Sequence, residues 1–157
     1  MRIVVLADTH GRIRNFEKIV RTQPEADLFI HLGDGGDEVE KMRVEHPALA
    51  FVTIKGNCDF GSDEPPDKLM VLGEKRIFLS HGHKYYVKSG LDAFLKAAEA
   101  QEAEIALFGH THQPYFEYIN GVYVMNPGSA ERPRQNRPSY GVIDITEGGV
   151  AAFHIKL

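Results

Sequence analysis

The stretch Ile3-Val4-Val5-Leu6-Ala7, followed at once by Asp8-Thr9-His10, decides the fold of this chain. Five consecutive apolar residues rich in β-branching predict a strand buried on both faces, which is typical of a parallel sheet covered by helices. Two similar runs follow at residues 28–32 and 50–54, separated by helical patterns at 15–21 and 37–44. This alternation predicts a parallel sheet with crossover helices.

The second half of the chain favours antiparallel pairing and two hairpins. The expected strands are residues 69–72, 76–79, 105–108, 115–119, 122–125, 139–145 and 150–155. Asn120-Gly121 is a strong hairpin signal between two of them. A helix is expected at 91–102, with Ser89 as its N-cap and Asn15 as the N-cap of the first helix. We predict one α/β domain over residues 1–157, with two packed sheets and helices outside.

Composition limits the partners of this protein. Its 157 residues are 43% hydrophobic and 25% charged, with a formal charge of -4, so nothing favours non-specific nucleic-acid binding. Cys58 is the single cysteine and has no internal disulfide partner, which favours a reducing, cytoplasmic location. No apolar run approaches the roughly 20 residues that cross a bilayer, so no membrane association is expected. The oligomeric state stays open, with a homo-oligomer among the options.

Five short polar motifs follow the predicted strands. They are Asp8-Thr9-His10, Gly33-Asp34, Gly56-Asn57, His81-Gly82-His83 and Gly109-His110-Thr111-His112. Ligands collect at the carboxyl ends of strands in open α/β sheets, so these motifs are expected to share one rim. Two carboxylates, one amide oxygen and four histidines would suffice to hold two divalent cations.

The ligand types indicate the chemistry of such a site. Oxygen and imidazole donors favour Mn, Fe, Ni or Zn over a structural zinc site built from cysteines. Asp34 is the carboxylate that could bridge two cations, and paired cations roughly 3.5–4 Å apart serve phosphoryl displacement. A hydroxide held between them would be the nucleophile. Each motif alone is a common turn, but five in order at strand ends are not explained by coincidence.

These motifs, in this order, resemble the calcineurin-like metallophosphoesterase superfamily. Gly-Asn-Cys-Asp at 56–59 and Asn-Pro-Gly-Ser at 126–129 resemble its small bacterial and archaeal phosphodiesterase branch. The similarity covers the chain from Met1 to about Arg134 by motif, and further by strand pattern. It implies two mixed β-sheets packed face to face and flanked by helices, a four-layer sandwich.

The resemblance also implies a ligand set and an activity. One metal would be bound by Asp8, His10, Asp34 and His112, and the second by Asp34, Asn57, His81 and His110. Mn²⁺ is the expected ion, with Ni²⁺, Fe²⁺, Zn²⁺ and Co²⁺ as alternatives. The implied activity is hydrolysis of a small phosphate ester, most specifically a phosphodiester.

Asn57, Cys58, His83 and Arg134 are the residues expected to act in catalysis, Asn57 in addition to its place in the ligand set. Cys58 could instead be a small buried filler. The better-known phosphatases of this superfamily have a histidine where Cys58 stands, so protonation of the leaving group is an open question; His83 and Asp59 are the alternatives. His83 could contact substrate or be structural. Arg134, with Arg132, could hold phosphate oxygens or form a solvated basic loop.

Two other functions compete with a phosphoesterase. A catalytically weak, protein-binding scaffold of the same fold, like the eukaryotic retromer subunit of this superfamily, would be expected to lose ligands and expose an apolar patch. A metallohydrolase of non-phosphate esters would not account for Arg134 and the Gly-Ser loop. The intact ligand set favours the phosphoesterase.

Overall fold

The apolar runs of the first third form three neighbouring parallel strands. The computed structural model describes residues 1–134 and 137–157. The elements of this part are β1 (Arg2–Leu6), α1 (Arg14–Thr22), β2 (Leu28–His31), α2 (Gly36–Glu45) and β3 (Phe51–Thr53). β2 pairs in parallel with both β1 and β3, as the strand–helix alternation predicted.

The rest of the chain supplies seven strands, one helix and a short 3-10 helix. They are β4 (Asp67–Leu72), β5 (Lys75–Ser80), the 3-10 helix (His83–Tyr85), α3 (Asp92–Ala100), β6 (Ile105–Phe108), β7 (Pro114–Ile119), β8 (Val122–Pro127), β9 (Ser139–Thr146) and β10 (Gly149–Lys156). Four antiparallel pairings occur here, but β6 runs parallel to both β5 and β8. The second half is therefore more mixed than its hairpin signals indicated.

The described residues form two five-stranded mixed sheets. The first has the order β10-β9-β1-β2-β3 and the second has the order β4-β5-β6-β8-β7. Alternate residues of β1 face opposite ways: Ile3 and Val5 pack between the sheets, whereas Val4 and Leu6 pack under α1 and α2. Phe94 and Ala98 of α3 cover the outer face of the second sheet. This four-layer arrangement confirms the predicted fold class.

Both predicted side-chain caps are wrong. α1 begins at Arg14 after Ile13, and the amide of Asn15 donates instead to the carbonyl of Ala130 at 2.8 Å. α3 begins at Asp92 after Leu91, with no side-chain cap bond. For Asn15, a contact from a distant segment outweighed its local capping preference. None of the helices described here is long and apolar enough to span a membrane.

Candidate metal centre

The five predicted ligand motifs lie in loops at the carboxyl ends of parallel strands. In the first sheet, Asp8 follows β1, Asp34 follows β2 and Asn57 follows β3. In the second sheet, His81 follows β5 and His110 follows β6. The two rims meet, and the loops face one another across the junction of the sheets.

One group of ligand atoms joins Asp8 to two histidines. Asp8 Oδ1 lies 3.2 Å from His112 Nε2 and 3.8 Å from His10 Nε2. The two Nε2 atoms are 3.1 Å apart, so they need a proton or a cation between them because facing lone pairs repel. The three ligand atoms lie within 4.8 Å of one another, close enough to share one ion.

A second group centres on Asp34. Its Oδ2 lies 3.4 Å from His81 Nε2 and 3.8 Å from His10 Nε2, so it faces histidines on both sides of the site. His81 Nε2 is also 3.2 Å from Asn57 Oδ1. The His110 ring packs edge-on against His81, with centroids 5.1 Å apart. The structure thus brings all seven predicted ligands together.

Main-chain carbonyls orient two of the histidines. The Nδ1 atom of His81 donates to the carbonyl of Leu32 at 2.7 Å, and Nδ1 of His112 donates to the carbonyl of Arg132 at 2.6 Å. A carbonyl can only accept, so each Nδ1 carries a proton and Nε2 faces the carboxylates, where it donates when the ring is protonated and would bind a metal ion when the ring is neutral. This arrangement is the usual way in which proteins prepare a histidine to bind a metal.

The backbone of the ligand loops is strained. Asp8, His10, Asp34, His110 and His112 have φ of 58°, 49°, 58°, 67° and 59°, in the left-handed region that non-glycine residues seldom adopt. They account for five of the nine such residues in the described part of the chain. Each costs on the order of 1–3 kcal/mol, and strain of this kind clusters at functional sites.

The glycine before Asp34 and the glycine before Asn57 permit close packing of two ligand loops. A Cβ on Gly33 would lie 2.6 Å from the Gly56 nitrogen, and a Cβ on Gly56 would lie 2.3 Å from the Asp34 nitrogen. Any larger side chain would therefore force the loops apart. The Gly-Asp and Gly-Asn pairs are tertiary contacts rather than plain turns.

The charges of the site fit a bound cation. Asp8 Oδ1 is buried and has no hydrogen-bond partner among the described residues. Burial opposes ionisation of Asp34, but hydrogen bonds from His81 and from the Cys58 backbone outweigh it and lower the pKa of Asp34. Burial, then the nearby His81 charge, lowers the pKa of His110 to about 4, so that ring is neutral near pH 7. Carboxylate, amide and neutral imidazole donors suit divalent transition metals.

The comparisons with known proteins agree with this geometry. The family model of the calcineurin-like phosphoesterase superfamily domain matches residues 1–148. The chain belongs to the calcineurin-like phosphoesterase superfamily. It is 34% identical over 148 residues to the probable metallophosphoesterase YsnB of Bacillus subtilis, covering 92% of this chain and 85% of that protein. The predicted family is thereby confirmed.

Two further proteins resemble this chain, one in sequence and fold and the other in fold. The phosphodiesterase YfcE of Escherichia coli K12 is 27% identical, covering 92% of this chain and 88% of YfcE, and a solved E. coli YfcE structure superposes with a TM-score of 0.71. Vps29 of Entamoeba histolytica, solved in complex with zinc, has a TM-score of 0.75 at 20% identity, covering 99% of each chain. The second likeness is one of fold alone.

Cys58 lies at the mouth of the candidate metal centre. A cleft of about 940 Å³ opens beside His10, Asp34 and Cys58. The Cys58 backbone N–H donates to Asp34 Oδ1 at 2.7 Å, and its Sγ accepts from the Asn57 amide at 3.2 Å. Burial and the Asp34 carboxylate raise the pKa of the Cys58 thiol to about 11. The thiol is therefore protonated at neutral pH.

His83 and the two predicted arginines lie near the candidate metal centre. The His83 ring lies 5.4 Å from that of His81 and 6.1 Å from that of His110, and its buried Nδ1 has no partner among the described residues. Arg132 lines the cleft beside His10. Arg134 lines a second, smaller pocket on the other side of the 110–112 loop.

Asp59 has a role that the sequence did not reveal. Its carboxylate accepts four backbone N–H bonds of 2.7–2.9 Å, from Asp34, Gly35, Gly36 and Gly56. These bonds tie the β2 and β3 loops together at the start of α2. Burial opposes ionisation, but the four donors lower the pKa of Asp59. A carboxylate held in this way is a poor proton donor, which disfavours Asp59 as the general acid.

Other polar side chains brace the loops from behind. Glu38 Oε1 accepts from the Thr9 hydroxyl at 2.8 Å and from the Gly11 N–H at 2.6 Å, which fixes the loop around His10. The Asn126 amide donates to the carbonyl of Gly109, and the Ser129 hydroxyl donates to the carbonyl of Asp8. The Asn-Pro-Gly-Ser loop thus supports ligand loops from both sheets. No sequence signal indicated the part played by Glu38.

Proposed function

We propose that this protein is a metal-dependent phosphodiesterase that hydrolyses small phosphate esters at a centre of two divalent ions. The observation that carries the proposal is the convergence of six candidate ligand side chains around Asp34, the seventh. Its Oδ2 faces His10 at 3.8 Å and His81 at 3.4 Å, the arrangement expected of a shared carboxylate. Membership of a family of metallophosphoesterases supports the same activity.

The ligands divide into two sets that share Asp34. Asp8, His10 and His112 would hold one ion, which fits the unpartnered Asp8 Oδ1 and the 3.1 Å separation of the two histidines. Asn57, His81 and His110 would hold the other. Mn²⁺ is our first choice of ion, and the same donors also suit Ni²⁺, Fe²⁺, Zn²⁺ or Co²⁺.

The chemistry needs no protein nucleophile. When bound, paired ions would lower the pKa of water and neutralise charge on the phosphoryl oxygens. Asn57 would orient the phosphate through its amide, and His83, whose Nδ1 is unpartnered among the described residues, would contact an ester oxygen. Arg132 and Arg134 flank the site on opposite sides and would bind the anionic substrate.

Metal content and turnover of one preparation test the proposal. Protein reconstituted with excess Mn²⁺ and freed of unbound ion should contain about two ions per chain and hydrolyse bis(4-nitrophenyl) phosphate. Full activity at a reproducible ratio near one would contradict the binuclear centre. Two bound ions without hydrolysis of any monoester or diester would contradict the esterase activity.

A protein-binding scaffold is the second candidate, because Vps29 shares the fold. Vps29 has itself been solved with zinc, so metal binding alone does not distinguish a scaffold from an enzyme. Binding of two ions without turnover would favour the scaffold. The 34% identity to a probable metallophosphoesterase, against a likeness of fold alone to Vps29, supports the enzyme.

A further inference from the structure

A second cavity, of about 380 Å³, adjoins the metal centre. It is lined by Lys88, Leu91, Phe108, Thr111, Tyr115 and Arg134, and we call it the Lys88–Arg134 pocket. Its volume lies at the lower end of the roughly 300–1,000 Å³ range of small-molecule sites. The pocket is therefore large enough for part of a substrate, such as a single ring and its substituents.

The Lys88–Arg134 pocket touches the loop that carries two ligands. Thr111, in its wall, stands between His110 and His112 in the sequence, and Phe108 precedes them at the end of β6. The pocket therefore borders the metal centre along the 110–112 loop.

The pocket combines an apolar wall with unpaired cations. The rings of Phe108 and Tyr115 lie 6.0 Å apart at 57°, and Leu91 continues the apolar surface. The Tyr115 hydroxyl donates to Glu117 at 2.6 Å, so its polar group is already satisfied. Within residues 1–134 and 137–157, neither Lys88 nor Arg134 forms an ion pair, and both are exposed.

The larger cleft on the other side of the centre has the opposite charge. Carboxylates line it at Asp37, Glu40, Asp63 and Glu64, with Arg132 as the one cationic side chain of its described lining. An anionic substituent placed there would meet like charge, whereas in the Lys88–Arg134 pocket it would meet two cations. The two cavities therefore discriminate between the two arms of a diester.

We infer that the Lys88–Arg134 pocket binds one ester arm of the phosphodiester substrate, and that this arm joins a flat apolar group to a second anionic group. The flat group would pack on Tyr115 and Leu91, which are partly exposed, and the anion would pair with Lys88 and Arg134. Either a carboxylate or a further phosphate supplies that charge. The inference rests on the proposed function and adds its substrate class.

Three diesters that share a 4-nitrophenyl arm test the inference. Their second arms are phenyl, 4-carboxyphenyl and 4-phosphonophenyl, and chromatography of both phenols measures total hydrolysis by the Mn²⁺-loaded protein. We expect kcat/KM for an anionic arm to exceed that for phenyl by about fivefold or more, mainly through KM, since charged contacts at open sites are modest. Comparing the carboxylate with the phosphonate identifies which anion is preferred.

Variants of Lys88 should change the ratio of kcat/KM for the anionic diesters to that for the phenyl diester. Lys88→Glu should reverse this preference for an anionic arm, and Lys88→Ala should reduce it to less than about twofold. Lys96→Ala is the matched control, because Lys96 is an exposed lysine outside both cavities, and it should leave the preference intact. Hydrolysis of the phenyl diester without any charge preference, or a preference that survives Lys88→Glu, would overturn the pocket assignment alone. If none of the three diesters is hydrolysed, the proposed function is overturned, and the pocket assignment with it.

Discussion

Single side chains of the candidate metal centre are held in fixed orientations by the surrounding backbone. Carbonyl groups of Leu32 and Arg132 fix the rings of His81 and His112, and left-handed backbone turns point Asp8 and Asp34 inward. Preorganisation of this kind reduces the cost of assembling ligands around an ion. We therefore expect these side chains to contribute to metal affinity more than to the stability of the core.

Asp34→Asn and His81→Ala should each abolish turnover while the protein stays folded. Loss of a direct ligand should weaken metal binding by more than the roughly 10–100-fold that loss of an outer partner costs. Metal titration, turnover and circular dichroism of each variant measure the effect. His46→Ala, which changes a histidine at the end of α2, should behave as the wild type. Near-normal turnover of either ligand variant at saturating metal would remove that residue from the ligand set.

Cys58 should make turnover depend steeply on the leaving group. A thiol is a weak proton donor even at its usual pKa of about 8.5, so aryl diesters with acidic leaving groups should react fast and alkyl diesters slowly. The measurement is log kcat/KM against leaving-group pKa, and Cys58→His should flatten the slope. A flat line for the wild type would indicate another general acid, with His83 as the first residue to test.

At the level of loops and helices, the site is held by contacts between elements. Asp59 joins the β2 and β3 loops to the start of α2, Glu38 of α2 holds the loop after β1, and Asn126 of β8 holds the loop after β6. These contacts explain how loops of two sheets keep fixed positions. The ligand geometry is therefore a property of packed elements rather than of isolated turns.

Asp59→Ala should lower both stability and metal affinity. The variant leaves four backbone donors without their acceptor, which should cost about 2–4 kcal/mol in the free energy of unfolding. Urea denaturation and metal titration are the measurements. Asp63→Ala is the control, because it removes the same charge from an exposed position on the same cleft. Equal losses of unfolding free energy and metal affinity in the two variants would show that the negative charge of Asp59, not its hydrogen bonds, stabilises the loops.

Across the whole molecule, the two ends of the chain meet in one sheet. β1 pairs with β9, the terminal ammonium donates to the carbonyl of Ile145 at 2.9 Å, and Arg2 donates twice to Asp144, each time at 2.8 Å. Asp8 follows β1, which is the central strand of this sheet. Pairing of β1 with the C-terminal strand β9 therefore also holds the loop that contains Asp8 in place.

Asp144→Asn should destabilise the protein in a pH-dependent way. The bond with Arg2 lowers the pKa of Asp144 in the folded state, so the pair stabilises above the unfolded value of about 3.9. That contribution is lost as the pH falls through the lower, folded pKa. Thermal unfolding at several pH values should show that the Tm of the variant lies below that of the wild type by a constant amount near neutrality. In strong acid the two Tm values should be equal. A difference that grows towards acid would contradict the ion-pair origin.

The sequence by itself determined the strands, the fold class and the order of the ligand motifs. Continuous β-branched runs such as Ile3–Ala7 have few other stable placements than a covered parallel sheet, and Asn120-Gly121 encodes its hairpin through local backbone preference. The family resemblance added the pairing of ligands into two sets. These features depend on residues that are close in the sequence, or on motifs that can be recognised from their order along the chain.

Only the tertiary structure decided which distant groups meet. Asp8 and His112 are 104 residues apart in the sequence, yet their ligand atoms are 3.2 Å apart. Asp59 accepts hydrogen bonds from backbone N–H groups 23–25 residues before it. The predicted caps failed for Asn15 because Ala130 offered a better partner. The same holds for Arg132 and Arg134, neighbours in sequence that face different cavities. Local propensity is too weak to fix such contacts, because packing between elements outweighs it energetically.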